Sequence, residues 1–182
     1  MYFDRMAIWD RMRASNVLHF APERNLARSI KSCAPALYVK ADLYPAAGDI
    51  QREDITKLSF PDNTFDVLIA NHILEHVGDD GAAMREIFRV LSPGGLAILQ
   101  TPYSAKLNTT YEDNAINDDT GRLQAFGQED HVRLYGLDLF TKLENNGFVS
   151  RMITHAQTLS DIDAALYGVN EREPFICYQK PL

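Results

Sequence analysis

The chain has 182 residues, of which 46% are hydrophobic and 10% aromatic, and a formal net charge of −7. That suits one α/β domain with a real core and argues against a nucleic-acid footprint. No apolar run is long enough to span a membrane, the N-terminus lacks the apolar core of a signal peptide, and Cys33 and Cys177 form neither a disulfide framework nor a CxxC pair, so a cytoplasmic protein without membrane contact is expected.

In chain order, residues 4–13 have apolar positions at helical spacing and predict a short amphipathic helix. Residues 16–20 read as a first strand. Ala21-Pro22-Glu23 then opens a helix running to about Ser32, with Pro22 suited to its first turn. A second strand over 36–41 ends at Asp42, and residues 49–55 could hold a short third one. Residues 66–70 read as the central strand, its apolar stretch Val67-Leu68-Ile69-Ala70 being of the kind buried on both faces of a parallel sheet. A helix over 81–91 is stopped by Pro93-Gly94-Gly95, and the next buried strand covers 96–101.

Residues 102–130 are polar and turn-rich, a long excursion of the kind that is functional or mobile. A helix over 136–146 ends at Gly147, and a strand over 148–155, a short helix over 160–167 and a last strand over 174–179 complete the reading. There are no repeats and no linker, so residues 1–182 are expected to be one domain, with 102–130 as a substrate-side insertion.

Three linked motifs run through the middle of the chain: Asp54 with Leu58-Ser59-Phe60-Pro61-Asp62-Asn63-Thr64-Phe65-Asp66, then Leu74-Glu75-His76-Val77, then Arg89-Val90-Leu91-Ser92-Pro93-Gly94-Gly95. Together they resemble the class I S-adenosylmethionine-dependent methyltransferases, in particular their type 11 group. The resemblance covers roughly residues 16–151. It implies a Rossmann-like α/β fold, a mostly parallel seven-stranded sheet with an antiparallel terminal strand. It also implies methyl transfer from S-adenosylmethionine to a small-molecule acceptor at oxygen or nitrogen. The alternative is a non-catalytic binding module that kept the fold and lost the site.

That alternative arises at one turn. Where the family has an acid and two glycines after the first strand, this chain has His19-Phe20-Ala21-Pro22-Glu23. His19 stands for the acid, Ala21 for the first glycine and Glu23 for the second. Some type 11 relatives carry a similar turn, which favours a working variant. Glu23 could accept a hydrogen bond from the methionine ammonium, or simply stabilise the start of its own helix.

The resemblance further implies that Asp42, with Leu43 beside it, binds the ribose hydroxyls. Asp54 would accept the adenine amino group, Ile55 would pack against the ring, and Asn71 would lie where a main-chain carbonyl holds the ammonium. On the acceptor side, His131 could deprotonate a hydroxyl, with Tyr103 and Arg133 orienting it. The bland reading of His131 is a local hydrogen bond. His72-Ile73-Leu74-Glu75-His76 also spells an inverted zinc-peptidase motif, but too little helix follows to bring both histidines to one face, so no metal ligand is expected.

Overall fold

The computed structural model describes residues 1–182. Its strands are β1 Asn16–Phe20, β2 Leu37–Asp42, β3 Gln51–Arg52, β4 Phe65–Ile69, β5 Leu91–Ile98, β6 Val149–Ser150 and β7 Cys177–Gln179. All seven lie in one sheet, in the order β3-β2-β1-β4-β5-β7-β6. β7 runs antiparallel to both of its neighbours, while the pairs among β1 to β5 are parallel. The expected Rossmann-like sheet with an antiparallel terminal strand is therefore observed.

The helices are α1 Tyr2–Arg5, α2 Ile8–Met12, α3 Arg24–Ser32, α4 Asp80–Val90, α5 Asp119–Phe126, α6 Asp138–Asn145, α7 His155–Thr158 and α8 Ala164–Tyr167. A single 3₁₀ turn covers Leu74–His76. Successive strand residues point to opposite faces, so the sheet separates two apolar clusters. Val17, Val67, Ile69 and Ile98 pack with Ile8, Met12 and Ile30 on the side of α2 and α3. Leu18, Leu68, Ala70 and Ala97 pack with Met84, Ile87, Leu139 and Leu143 on the side of α4 and α6. No helix is long and apolar enough to cross a membrane.

Several predicted elements change. The helix expected over 4–13 breaks at Ala7, which is left-handed at φ 51°, into α1 and α2. The break lets the chain wrap Phe175: Tyr2 stacks on it at 5.1 Å and Phe3 meets it edge-on at 5.7 Å. The excursion over 102–130 is not all loop. Asp118 caps α5 by accepting the Gly121 N–H at 2.9 Å, and Gly127 stops it in the left-handed region at φ 91°. The strand over 148–155 shortens to two residues, although Ile153 still pairs with Phe175 beyond it. A capping box of Thr154 and Gln157 starts α7, which the sequence reading missed.

The linked motifs turn out to be clamps. Arg89 donates to Asp62 Oδ1 at 2.7 Å, to the Phe60 carbonyl at 2.8 Å and to the Leu58 carbonyl at 3.1 Å, fastening the turn before β4 to α4. Gly95 could carry no side chain, because a Cβ there would lie 2.8 Å from the Ser92 carbonyl.

Arg133 is a second clamp and is only 2% exposed. Its guanidinium donates to the Leu74 carbonyl at 2.7 Å, to the Gly78 carbonyl at 3.0 Å, to the Val77 carbonyl and to Glu112. Asp80 lies beside it, accepts the Tyr135 hydroxyl at 2.9 Å and pairs with Lys142 at 3.2 Å. Burial works to raise the Asp80 carboxyl, but Arg133, Tyr135 and Lys142 outweigh it and hold it below the ordinary value. Arg133 was expected to orient the acceptor; its donors are committed to the protein.

Replacing Arg133 by methionine should cost about 3–5 kcal/mol, because it strands a half-buried carboxylate and three carbonyls. Urea unfolding at neutral pH measures this. A lowered carboxyl stabilises the fold above its unfolded-state value and loses that contribution as pH falls through the folded value. The urea midpoint should therefore drop below about pH 4, and Asp80→Asn should flatten that limb.

Candidate functional site

Strand order reverses between β1 and β4, and in open α/β sheets ligands bind at the carboxyl ends of the strands flanking such a point. β1 ends at Phe20, and Ala21 follows in the left-handed region at φ 42°, its N–H donating to the Ala41 carbonyl at 2.8 Å. This is the conformation that glycine adopts freely and alanine adopts at a cost. The turn has kept its backbone path while losing the residue that makes it easy.

Glu23 is the N-cap residue of α3, yet its side chain does not cap the helix. It lies 2.6 Å from His19 Nε2 through Oε2 and accepts from Asn71 Nδ2 at 3.0 Å through Oε1. His19 is fully buried, and its Nδ1 lies 2.9 Å from the Tyr38 hydroxyl. A carboxylate only accepts, so Nε2 carries the proton; burial lifts the Tyr38 phenol above its usual range, so its hydroxyl remains a donor to Nδ1.

Burial would raise the Glu23 carboxyl, but the bonds from His19 and Asn71 keep it below the ordinary value. The chain of bonds continues. The Gln100 N–H donates to Asn71 Oδ1 at 3.4 Å, and Gln100 Oε1 accepts the Ile176 N–H at 3.2 Å. A polar relay thus links β2, β1, β4, β5 and the segment before β7. His19 itself was expected to contact cofactor; it lies beneath the surface and positions Glu23 instead. Tyr38 and Gln100 gave no sequence signal, because register and not spacing brings them in.

Asp42 is half-buried and uses Oδ1 to accept the Tyr44 N–H at 2.8 Å, leaving Oδ2 without a protein partner. Leu43 beside it is 42% exposed, an open apolar surface. Asp54 is exposed and uses Oδ1 for the Thr56 amide at 2.9 Å and hydroxyl at 2.7 Å, which hold its carboxyl low. Ile55 is 5% exposed and belongs to the core, so it presents little face to a ring. A cavity of about 300 Å³ opens beside Asn71 and Gln100, walled by Leu26, Val169 and Phe175.

On the other side of β4, His131 is 5% exposed and meets Glu75 and His76. Tyr103 bridges to Tyr135, its ring packs edge-on against Phe140 at 5.0 Å, and burial raises its phenol.

Residues 24–99 match the profile described as a methyltransferase domain. A protein of Mycolicibacterium smegmatis described as a probable S-adenosylmethionine-dependent methyltransferase is 29% identical over 124 residues, covering 66% of this chain and 44% of that protein. A C-methyltransferase of ubiquinone and menaquinone biosynthesis from Idiomarina loihiensis is 40% identical over 67 residues, 35% of this chain and 27% of its own length. The crystal structure of an S-adenosylmethionine-dependent methyltransferase from Mesorhizobium loti superposes with a TM-score of 0.68 at 15% identity, over 97% of this chain and 96% of that one.

Over residues 24–99 the chain is similar to the S-adenosylmethionine-dependent methyltransferases, and its fold is theirs. It spans less than half the length of these two curated relatives. S-adenosylmethionine is the methyl donor of this methyltransferase family. The residues at the switch point fit such a group: Glu23 offers an oriented carboxylate whose side chain is 45% exposed, and Asp42 and Asp54 each offer an unused oxygen.

At φ 42°, Ala21→Gly should change stability by less than about 1 kcal/mol, since relief of left-handed strain offsets the added chain entropy. Ala21→Val should lose about 1–3 kcal/mol, because a β-branched side chain is strained there. Guanidinium unfolding of the two variants checks both.

Proposed function

We propose that this protein binds S-adenosylmethionine across the carboxyl ends of β1, β2 and β4 and transfers its methyl group to the oxygen or nitrogen of a small acceptor. The observation that carries this reading is the Glu23 carboxylate, held between His19 and Asn71 at the strand switch, with Asp42 at the end of the neighbouring strand. Two carboxylates placed so can receive an ammonium and a vicinal diol, the two polar ends of the donor.

When bound, the donor supplies an electrophilic sulfonium methyl. The protein's part is then to position and to exclude water. Glu23 is already ionised and fixed by two bonds, so little ordering remains to be done on binding. Asp42 keeps its peptide turn through one oxygen and offers the other. Leu43 gives an apolar surface beside it. The small cavity next to Asn71 is open for the amino-acid end of the ligand or part of the acceptor. Tyr103 has no side-chain hydrogen bond within the protein and offers an un-ionised phenol to an acceptor.

The excursion over 102–130 supports the reading of an acceptor-side wall. It follows β5, and Gly136 seats it: a Cβ there would fall 2.7 Å from the Thr109 carbonyl carbon. Asp138 Oδ1 accepts the Thr110 N–H at 2.8 Å and its hydroxyl at 2.7 Å.

Calorimetric titration with S-adenosylhomocysteine tests the proposal. One binding event is expected, weakened by about 1.5–3 kcal/mol in Asp42→Ala, the scale of hydrogen bonds from a charged group. Absence of heat and of any thermal shift at millimolar ligand would leave a methyltransferase fold without its donor.

A further inference from the structure

Away from Asp42 and Glu23, three side chains converge where the Leu74–His76 turn meets the segment leading out of the 102–130 excursion. One donor atom from each of Glu75, His76 and His131 lies within 4.8 Å of the others. Glu75 is the telling member. Its side chain is 1% exposed, and neither carboxylate oxygen has a hydrogen-bond partner. No lysine or arginine pairs with it; Arg133, the nearest buried cation in sequence contact with this turn, spends its donors on carbonyls and Glu112. His72 Nδ1 pairs with Oε1 at 3.4 Å from a side chain that is 64% exposed, and Oε2 has no partner of its own. A buried carboxylate whose one ionic partner is an exposed imidazole lacks a permanent cation, and folds that keep such a group supply one.

The two histidines are turned for the same purpose. His76 Nδ1 lies 3.1 Å from the Asp130 carbonyl and 3.3 Å from its carboxylate. His131 Nδ1 lies 3.3 Å from the Phe126 carbonyl. Those oxygens only accept, so each Nδ1 carries a proton and each Nε2 is left with a free lone pair. An imidazole anchored outward through one nitrogen, with the other bare, is how proteins orient metal ligands.

The frame is rigid as well. The Val132 N–H donates to the Glu75 carbonyl at 2.9 Å, and Arg133 ties down the carbonyls on either side of the turn. Ligands about 2 Å from a tetrahedral ion stand roughly 3.3 Å apart, so side-chain rotations of about an ångström close the group around one.

We propose that Glu75, His76 and His131 form a three-ligand site for a divalent first-row transition metal, zinc foremost. Two imidazoles and one carboxylate suit that class of ion and leave coordination positions open. His76 is the ligand nearest solvent, its side chain 32% exposed, so the site has an open side.

The role of the ion rests on the methyl-transfer reading. An acceptor hydroxyl taken at the open position has its pKa lowered and releases its proton to water. The resulting metal-held oxygen forms the new O–CH₃ bond as the S–CH₃ bond breaks, and neutral S-adenosylhomocysteine leaves. This assigns an oxygen acceptor in preference to nitrogen. It also makes His131 a ligand, since an imidazole whose lone pair holds a metal cannot collect a proton.

The test uses the full chain stripped with a chelator. Titration with cobalt(II) should give one equivalent bound with the visible absorption of a four- or five-coordinate ion, and zinc should displace it. His131→Ala and Glu75→Gln should each weaken cobalt binding by about 100-fold or more, while His72→Ala should leave it unchanged.

No binding by the wild-type chain, or binding untouched by His131→Ala in a variant with native circular dichroism, overturns the site. Calorimetry with S-adenosylhomocysteine on the stripped protein separates the two readings. Donor binding without cobalt binding sinks the metal alone, and cobalt binding without donor binding sinks the methyl-transfer role alone.

Discussion

Everything around the turn after β4 hangs on one buried cation. Arg133 enters the space between the turn after β4 and the segment after α5, and its guanidinium takes the place that water would otherwise fill among the carbonyls of residues 74–78. A loop at the end of a parallel strand has no ladder to satisfy its carbonyls, so it needs donors from elsewhere. Arg133 supplies them, Asp80 and Glu112 balance its charge, and Tyr135 closes the set through Asp80 and the Leu74 carbonyl. The position of Glu75 and His76 is a by-product of that arrangement.

The opposite flank is organised by a hydrogen-bonded relay. Where relatives rely on small residues to let a ligand near the backbone, this chain places a fully buried imidazole under the turn and a carboxylate above it. The two solutions trade different quantities. A glycine turn minimises bulk; the relay from Tyr38 through His19 to Glu23 and Asn71 provides a fixed charge in a conformation that alanine tolerates. Position 19 carries no acid, and the carboxylate of this turn stands at position 23.

Much of the fold was legible. The motifs around Asp62, Phe65 and Arg89 recur because they are one mechanical joint, and the joint shows in the letters. The strands buried on both faces were plain from their apolar runs, and only their ends shifted. What escaped had physical reasons. The break at Ala7 depends on Phe175, far along the chain. α5 buries only Phe126 and is defined by its cap and its stop, not by an apolar stripe. Glu23 was singled out, but Tyr38 and Gln100, which bond to its partners His19 and Asn71, are brought in by strand register, which spacing does not encode. Glu75 and His76 were noticed in a motif with His72, which is left-handed at φ 54° and presents its ring largely to solvent; His131, from beyond the excursion, lies beside them in the fold.

The reversed strand has a bearing on how the protein is made. β6 pairs with β7 alone, and β7 separates it from β5. During synthesis, residues 149–150 therefore emerge with no strand to join, and the edge of β5 remains unpaired until residues 177–179 clear the ribosome. An open apolar edge on a nascent chain is a place for holdases or for stray strands from neighbouring polysomes. The sheet is completed from the inside outwards by its last-made strand, so the ribosome, and not the early strands, sets the moment at which this fold can close.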